Sequence, residues 1–355
     1  MAQNKNHHFV PRCHFKPFSL NEEGVCINAY HTPSGKLIRN ASISGQCSKN
    51  YFYGEDNKLE VALQGMEGLH ASAIRNVQGR NGKPADDELF SFLRFTLLQH
   101  LRTEQAMLKI KHMQQQMIDT AFAGDAAQPY KPPPLSQREI IQMAMSILKD
   151  ASDVVDDLKS VVVRNESDIE FITSDDPAIH TNRYHIQRLG RTNFGLGNAG
   201  AIIALPLSPR LLFLAYDGGC YTIPDKIGGV VAISKRSEVQ GLNRFQVLNC
   251  GSCLFFSSRD MADEVQEQFK ENQESRIATW SAIEELVEVA EGVFRAAGSA
   301  EEAQQGNSLM HTSSQYPIPS GWPSFLKFRN PVRVVETGTA AGIRRLAAGG
   351  QSRRL

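Results

Sequence analysis

At Ser160 the spacing of apolar residues in this chain changes from helical to strand-like, and that switch limits the fold more than any motif does. Upstream, Leu59, Ala62, Leu63, Met66, Leu69, Ala73, Ile74 and Val77 recur at i, i+3, i+4, i+7. This predicts a helix to about Val77, capped by Asp56 and Asn57, with Glu60, Gln64 and Glu67 on its other face. A second helix is predicted from the caps Asp86 and Asp87 to about Phe122; its first turns, LFSFLRFTLLQHL, are apolar nearly all round, with Arg94 and Arg102 emerging from that surface. Pro132 to Pro134 break the chain. Ser136 and Glu139 then form a capping box that opens a third helix to about Lys159. Downstream, SVVVR, IEFITS, GAIIALPL, RLLFLAY and GVVAIS are short β-rich runs separated by turn residues, which predicts a mostly antiparallel sheet. A helix from Glu238 to about Leu248, the strand LFFSS and a long closing helix from Met261 to about Ala296 complete the pattern. Near the start, VCINAYHT and KLIRNASI flank Pro33-Ser34-Gly35 as a hairpin. Helices grouped before strands, rather than alternating with them, describe an α+β fold, its sheet packed against long helices.

The 355 residues suffice for one large domain, expected over 1–296, and the Gly, Ser, Ala and Gln-rich remainder, 297–355, reads as a flexible, disordered low-complexity tail. Lys plus Arg and Asp plus Glu each total 38, so no global field recruits nucleic acid or an anionic membrane, and any such binding must be local. No leader-like apolar run and no window of 18 apolar residues is present, so a soluble, cytoplasmic protein is expected. Cysteines 13, 26, 47, 220, 250 and 253 are scattered, as in a reducing compartment. Cys250-Gly-Ser-Cys253 precedes a strand rather than opening a helix, and reads as two small buried thiols.

The chemistry-bearing stretch is Asn6 to Phe18, NHHFVPRCHFKPF, which holds three histidines and no acid. Pro11 and Pro17 favour extended backbone before them, and alternation then sets His8, Val10 and Arg12 on one face and His7, Phe9 and Pro11 on the other. One histidine would therefore need partners from elsewhere, such as Glu67, His70, Asp175 or Asp176. Glu67-Gly-Leu-His70 matches the Glu-x-x-His pair of di-iron bundles, but the second copy that such a site requires is missing. The structural alternative has one histidine bonded to backbone and the other under the hairpin, with Phe15 and Phe18 in the core. Arg102 leaves an apolar helix, so its guanidinium needs a partner, with Glu60, Glu67 and Asp175 as candidates. A buried ion pair and a clamp for a substrate carboxylate or phosphate both satisfy that need. Asp175 lies in the strand-end segment Ile172-Thr-Ser-Asp-Asp-Pro177, where it either joins a histidine or closes a turn with Thr173 and Ser174.

Taken in order, HHFVPRCHFKPF, YFYGEDNKLEVALQGME, ELFSFLRFTLLQHLRTE, FITSDDPAI, PLSPRLLFLAY and GLNRFQVLNCGSCLFFSS resemble the domain-of-unknown-function family 4238 across roughly residues 7–260. The family usually reads His-His-Tyr-Val-Pro and then a Tyr-Leu-x-x-Phe-like continuation, so Phe9 and CHFKPF depart from it. It tends to have Asn at the position of Asp176, which argues against a catalytic Asp176. The resemblance implies a single domain and carries no activity. From the residues themselves the leading expectation is a hydrolase, with phosphodiesters the first substrate class, using acid–base or metal-assisted chemistry at His7, His8, Glu67, Arg102 and Asp175, and with a divalent metal as the candidate cofactor. The alternative is a non-catalytic module binding an anionic partner, protein or nucleic acid, through the basic N-terminal strand and a tail containing Arg344, Arg345, Arg353 and Arg354.

Overall fold

The computed structural model describes residues 5–55, 58–122, 131–277, 281–290, 293–298, 308–335 and 342–344. Strand β1 (Asn6–His8) leads through the helical turn α1 (Arg12–Phe15) to the hairpin β2 (Cys26–His31) and β3 (Lys36–Ser42), then to β4 (Ser48–Asn50), which pairs with β1. Four helices follow: α2 (Lys58–Gly79), α3 (Asp86–Arg102), α4 (Glu104–Ala121) and α5 (Gln137–Val154). Next come β5 (Lys159–Asn165), β6 (Thr173–Ser174), β7 (Ile179–Asn182), β8 (Ala201–Ser208), β9 (Leu211–Tyr216), β10 (Tyr221–Thr222) and β11 (Val230–Ile233). Helix α6 (Arg236–Asn249), β12 (Cys253–Phe256) and helix α7 (Ala262–Asn272) precede β13 (Ser281–Ala290), β14 (Val293–Ala296), β15 (Ser308–Ser314) and β16 (Lys327–Phe328). The class is α+β. Among the described residues no helix is long and apolar enough to cross a membrane.

The central sheet runs β11-β5-β9-β8-β7, antiparallel except for the parallel β11–β5 pair. Strand alternation divides its side chains cleanly between two cores. Val162, Ile203, Leu205, Leu211 and Phe213 pack against Phe92, Phe95 and Leu97 of α3, whereas Val161, Val163, Ile202, Leu212 and Leu214 pack with Val239, Leu242 and Phe245 of α6. Cover on both faces explains why β8 and β9 are apolar runs rather than alternating ones. A second sheet, β3-β2-β12-β6, lies under the N-terminal stretch, where Val10, Phe15 and Phe18 pack with Ile27, Phe255 and Ile141.

Local signals held where they were local. The Ser136 side chain accepts from Glu139 N and the Glu139 carboxylate accepts from Ser136 N, as a capping box requires. Four expectations change. The helix expected from Asp86 to Phe122 is two helices, because Thr103 is extended and caps α4 through Ala106 N at 3.1 Å. The extended backbone expected through Phe18 stops at His8; Arg12–Phe15 is helical, and even Lys16, ahead of Pro17, adopts the right-handed helical region. The closing helix ends at Asn272, and Ser281–Ala290 is a strand between β14 and β15. Within the expected tail, β15 pairs with β13, and Phe325 and Leu326 are buried in the core on the α6 side of the central sheet. Asp56 and Asn57, the expected caps of α2, lie outside the described residues.

Candidate functional site

Helix α3 delivers Arg102 into the interior at the point where the chain turns into α4, and its side chain has 0% exposure. Nε donates to the Tyr53 hydroxyl at 2.9 Å, Nη1 to Glu67 Oε1 at 2.8 Å and Nη2 to the His8 carbonyl at 2.7 Å. The guanidinium also sits 5.5 Å from the centre of the Tyr53 ring. Burial pulls its pKa down, but Tyr53 and Glu67 outweigh burial and hold it above its ordinary value. Burial raises the Tyr53 hydroxyl to about 12, so Tyr53 is a neutral donor and acceptor at physiological pH.

Around this centre β1 keeps the alternation expected of a strand. His7 is buried, its ring 5.9 Å from that of Tyr53 and stacked on it, and its Nδ1 accepts from Tyr53 N at 3.2 Å. That bond leaves the proton of the neutral ring on Nε2. His8 contributes its carbonyl to Arg102 and directs its ring elsewhere; burial, then Arg12, holds that imidazole below its ordinary pKa. Glu60, two helical turns before Glu67, has a buried Oε2 without a hydrogen-bond partner among the described residues. Its carboxyl is pushed up by burial against the pull of His7.

Asp175 belongs to a different assembly. Its carboxylate accepts from Gly251 N at 2.8 Å, Ser252 N at 2.7 Å, Ser252 Oγ at 2.9 Å and Cys253 N at 3.1 Å, tying the end of β6 to the start of β12. A side chain at Gly251 would meet the amide end of Gln105, which would have to move aside. Burial raises the Asp175 carboxyl in spite of these donors. Asp176 faces the other way, as adjacent strand residues do: Oδ1 accepts from Thr103 Oγ1 at 2.7 Å and Oδ2 from Lys109 Nζ at 2.9 Å. Thr103 thus caps α4 and pins the α3–α4 joint to the TSDDP segment.

The structure therefore joins His7, Glu67 and Arg102 with the backbone of His8, and holds Asp175 apart on the 251–253 turn. Glu67 and His70, three residues apart on α2, have separate surroundings: His70 is buried and stacked 3.5 Å from the Phe95 ring. Tyr53, Thr103 and Lys109 were not singled out from the sequence. A threonine followed by Glu-Gln-Ala is a cap signal that the apolar run of α3 and the helix-forming run of α4 conceal.

Among the described residues no group of three or more His, Cys, Asp or Glu side chains could hold a metal ion. The Cys250 and Cys253 thiols are raised by burial, Cys253 to about 11, which makes them inert neutral groups. Arg344, expected to reach an anionic partner from the tail, is instead folded in: it pairs with Asp157 at 3.1 Å and donates to the carbonyls of Val154, Leu196 and Asn198. Arg345, Arg353 and Arg354 lie outside the described residues. A groove of about 430 Å³, lined by none of His7, His8, Glu67, Arg102 and Asp175, opens between the end of α2 and the β8–β9 turn, where Arg164 is already paired with Glu166.

The family model described as "Protein of unknown function (DUF4238)" matches residues 6–260, the span from β1 to just beyond β12 that holds every group described above except Arg344. No curated protein and no solved structure matches.

Proposed function

This chain belongs to the DUF4238 family, whose description assigns no activity, and from its own residues we propose that it is a non-catalytic module that binds an anionic partner. The observation that carries the reading is the closure of the Arg102 network. A guanidinium that serves a substrate must keep donors directed at open space, and Arg102 is sealed with all three nitrogens donating to the protein itself. Asp175, the expected acid–base partner of a histidine, already accepts four hydrogen bonds. Two surface segments support the anionic partner: residues 183–200 and 317–335 contain six basic residues and no acid, although the whole chain is neutral.

The test is binding of the full chain to immobilised heparin as a generic polyanion. Affinity should fall steeply as salt rises, because exposed basic contacts are screened. Binding that ignores ionic strength refutes the reading. The hydrolase remains as a second reading because one observation favours it: Glu60 combines a raised carboxyl, a buried oxygen without a partner among the described residues and the neighbouring imidazole of His7, the arrangement of an acid–base pair. Turnover of phosphodiesters, phosphomonoesters or carboxylic esters that Glu60→Gln abolishes at unchanged melting temperature would establish it over binding alone.

A further inference from the structure

After β7 the chain forms a five-residue π-helical turn, His185–Leu189, closed by the left-handed Gly190. Such turns lack the strain-free geometry of an α-helix and recur at functional sites. Here the turn carries Arg188 over the ring of Phe328, 4.9 Å from its centre, while Arg183 at the head of the turn sits 4.8 Å from the same ring. The two guanidinium groups are therefore no more than about 10 Å apart, roughly one Debye length at physiological salt, so each feels the other. Among the described residues neither meets a carboxylate. Arg183 donates to Gln187 and to the Leu326 carbonyl, both neutral, and Arg188 is exposed.

The ring beneath them is firmly placed. Phe328 lies opposite Tyr221 in the β10–β16 pair, with the rings 5.5 Å apart. Tyr221 in turn donates to the Gly200 carbonyl at 2.9 Å and accepts from Tyr184 N at 2.7 Å. Gly200, at φ +82°, approaches Tyr184 and Asn182 so closely that no side chain fits there. Lys327 and Arg329 flank Phe328, and Arg191 and Arg333 extend the same two acid-free segments.

We propose that this surface, centred on Arg183, Phe328 and Arg188, binds single-stranded nucleic acid; the proposal rests on the anionic-partner reading above and names its partner. Two unneutralised guanidinium groups held close together suit a phosphate backbone, and six basic side chains along two segments suit a polyanion better than one isolated phosphate. Arginine planes stabilised on an aromatic ring offer flat faces on which unpaired bases stack. A flexible strand can follow a short turn and a two-residue strand, which a rigid duplex cannot do without losing contacts.

Fluorescence anisotropy with a labelled single-stranded oligonucleotide of mixed sequence, its duplex and heparin as competitor tests this on the full chain. The single strand should bind more tightly than the duplex, with log K falling linearly against log salt. Arg183→Gln/Arg188→Gln should make that slope shallower by about 1.4, the value for two lost phosphate contacts on a single strand. Arg188→Gln alone should remove about half as much. The exposed Arg188 side chain makes no hydrogen bond among the described residues, so this single variant decides the matter even if the double variant unfolds. Oligonucleotide binding with an unchanged slope in Arg188→Gln overturns this site. Equal or tighter duplex binding, or heparin binding without oligonucleotide binding, overturns the ligand and leaves the anionic-partner reading standing; binding of neither polyanion ends both.

Discussion

Acidification should unfold this protein from its histidines well before its carboxylates protonate. His14, His70 and His180 are buried, and among the described residues none finds a full set of hydrogen bonds. Among the described residues His14 meets Thr173 Oγ1 at 2.8 Å through Nε2 while its Nδ1 has no partner, both ring nitrogens of His70 are unpartnered, and His180 meets the Tyr316 hydroxyl at 2.8 Å through Nδ1 while its Nε2 has none. Burial lowers all three pKa values, that of His14 to about 3. A histidine whose folded pKa lies below its unfolded value contributes stability that is present above about pH 6.5 and is lost as pH falls towards the folded value. Each loses about 1.4 kcal/mol per pH unit while its folded value lies below the pH; His14 thus loses about 1.4 kcal/mol by pH 5.5 and about 2 by pH 5, and His70 and His180 lose stability in the same direction. Losses of this kind from three rings at once draw on the 5 to 15 kcal/mol that typically holds a domain together. Asp175 and Glu60, whose carboxyls are raised, act in the opposite sense, but they begin from the lower carboxylate range. The assay is the urea midpoint of unfolding measured from pH 7.5 to 5, together with imidazole proton resonances. A stability profile flat over that interval, the His14 ring titrating in the native state above pH 5, or the His70 or His180 ring titrating there at its ordinary value would refute the reasoning.

His70→Leu should raise stability by about 1 to 3 kcal/mol in thermal denaturation, since it removes two buried polar atoms without partners among the described residues, and should also make the acid slope shallower. Arg102→Met should cost roughly 3 to 5 kcal/mol in urea unfolding by leaving Glu67 unpaired, and Glu67→Gln in the same chain should recover part of that loss; a cost below 1 kcal/mol would mean the pair is not structural. Deleting residues 297–355 should lower the melting temperature, because it strips Phe325 and Leu326 from the core and frees Asp157 from Arg344. An unchanged melting temperature would mean that this segment is dispensable to the fold.

What the sequence determined by itself is what neighbouring residues decide between them. The Ser136–Glu139 capping box, the hairpin across Pro33-Ser34-Gly35, the amphipathic period of α2 and the grouping that makes the chain α+β rest on interactions a few residues long. The placement of His7 and His8 on opposite sides of β1 follows equally from alternation. Tertiary structure decided the rest, because each case balanced two local possibilities. SAIEELVEVA contains good helix formers and also alternates, and only pairing with β14 and β15 makes it a strand. LFSFLRFTLLQHLRTEQA reads as one helix until Asp176, 73 residues further on, accepts from Thr103 and fixes the break. Arg102 had Glu60, Glu67 and Asp175 as possible partners; α2 packs beside α3 so that Glu67 reaches it, while the 251–253 turn into β12 brings three backbone donors to Asp175 and takes it out of contention. Likewise the acid-free segments around Arg183 and Phe328 lie more than a hundred residues apart, and a shared surface exists only because β16 pairs with β10 beside the π-turn. Charge and hydrogen-bonding capacity are properties of residues, but which donor meets which acceptor depends on the distance that folding leaves between them.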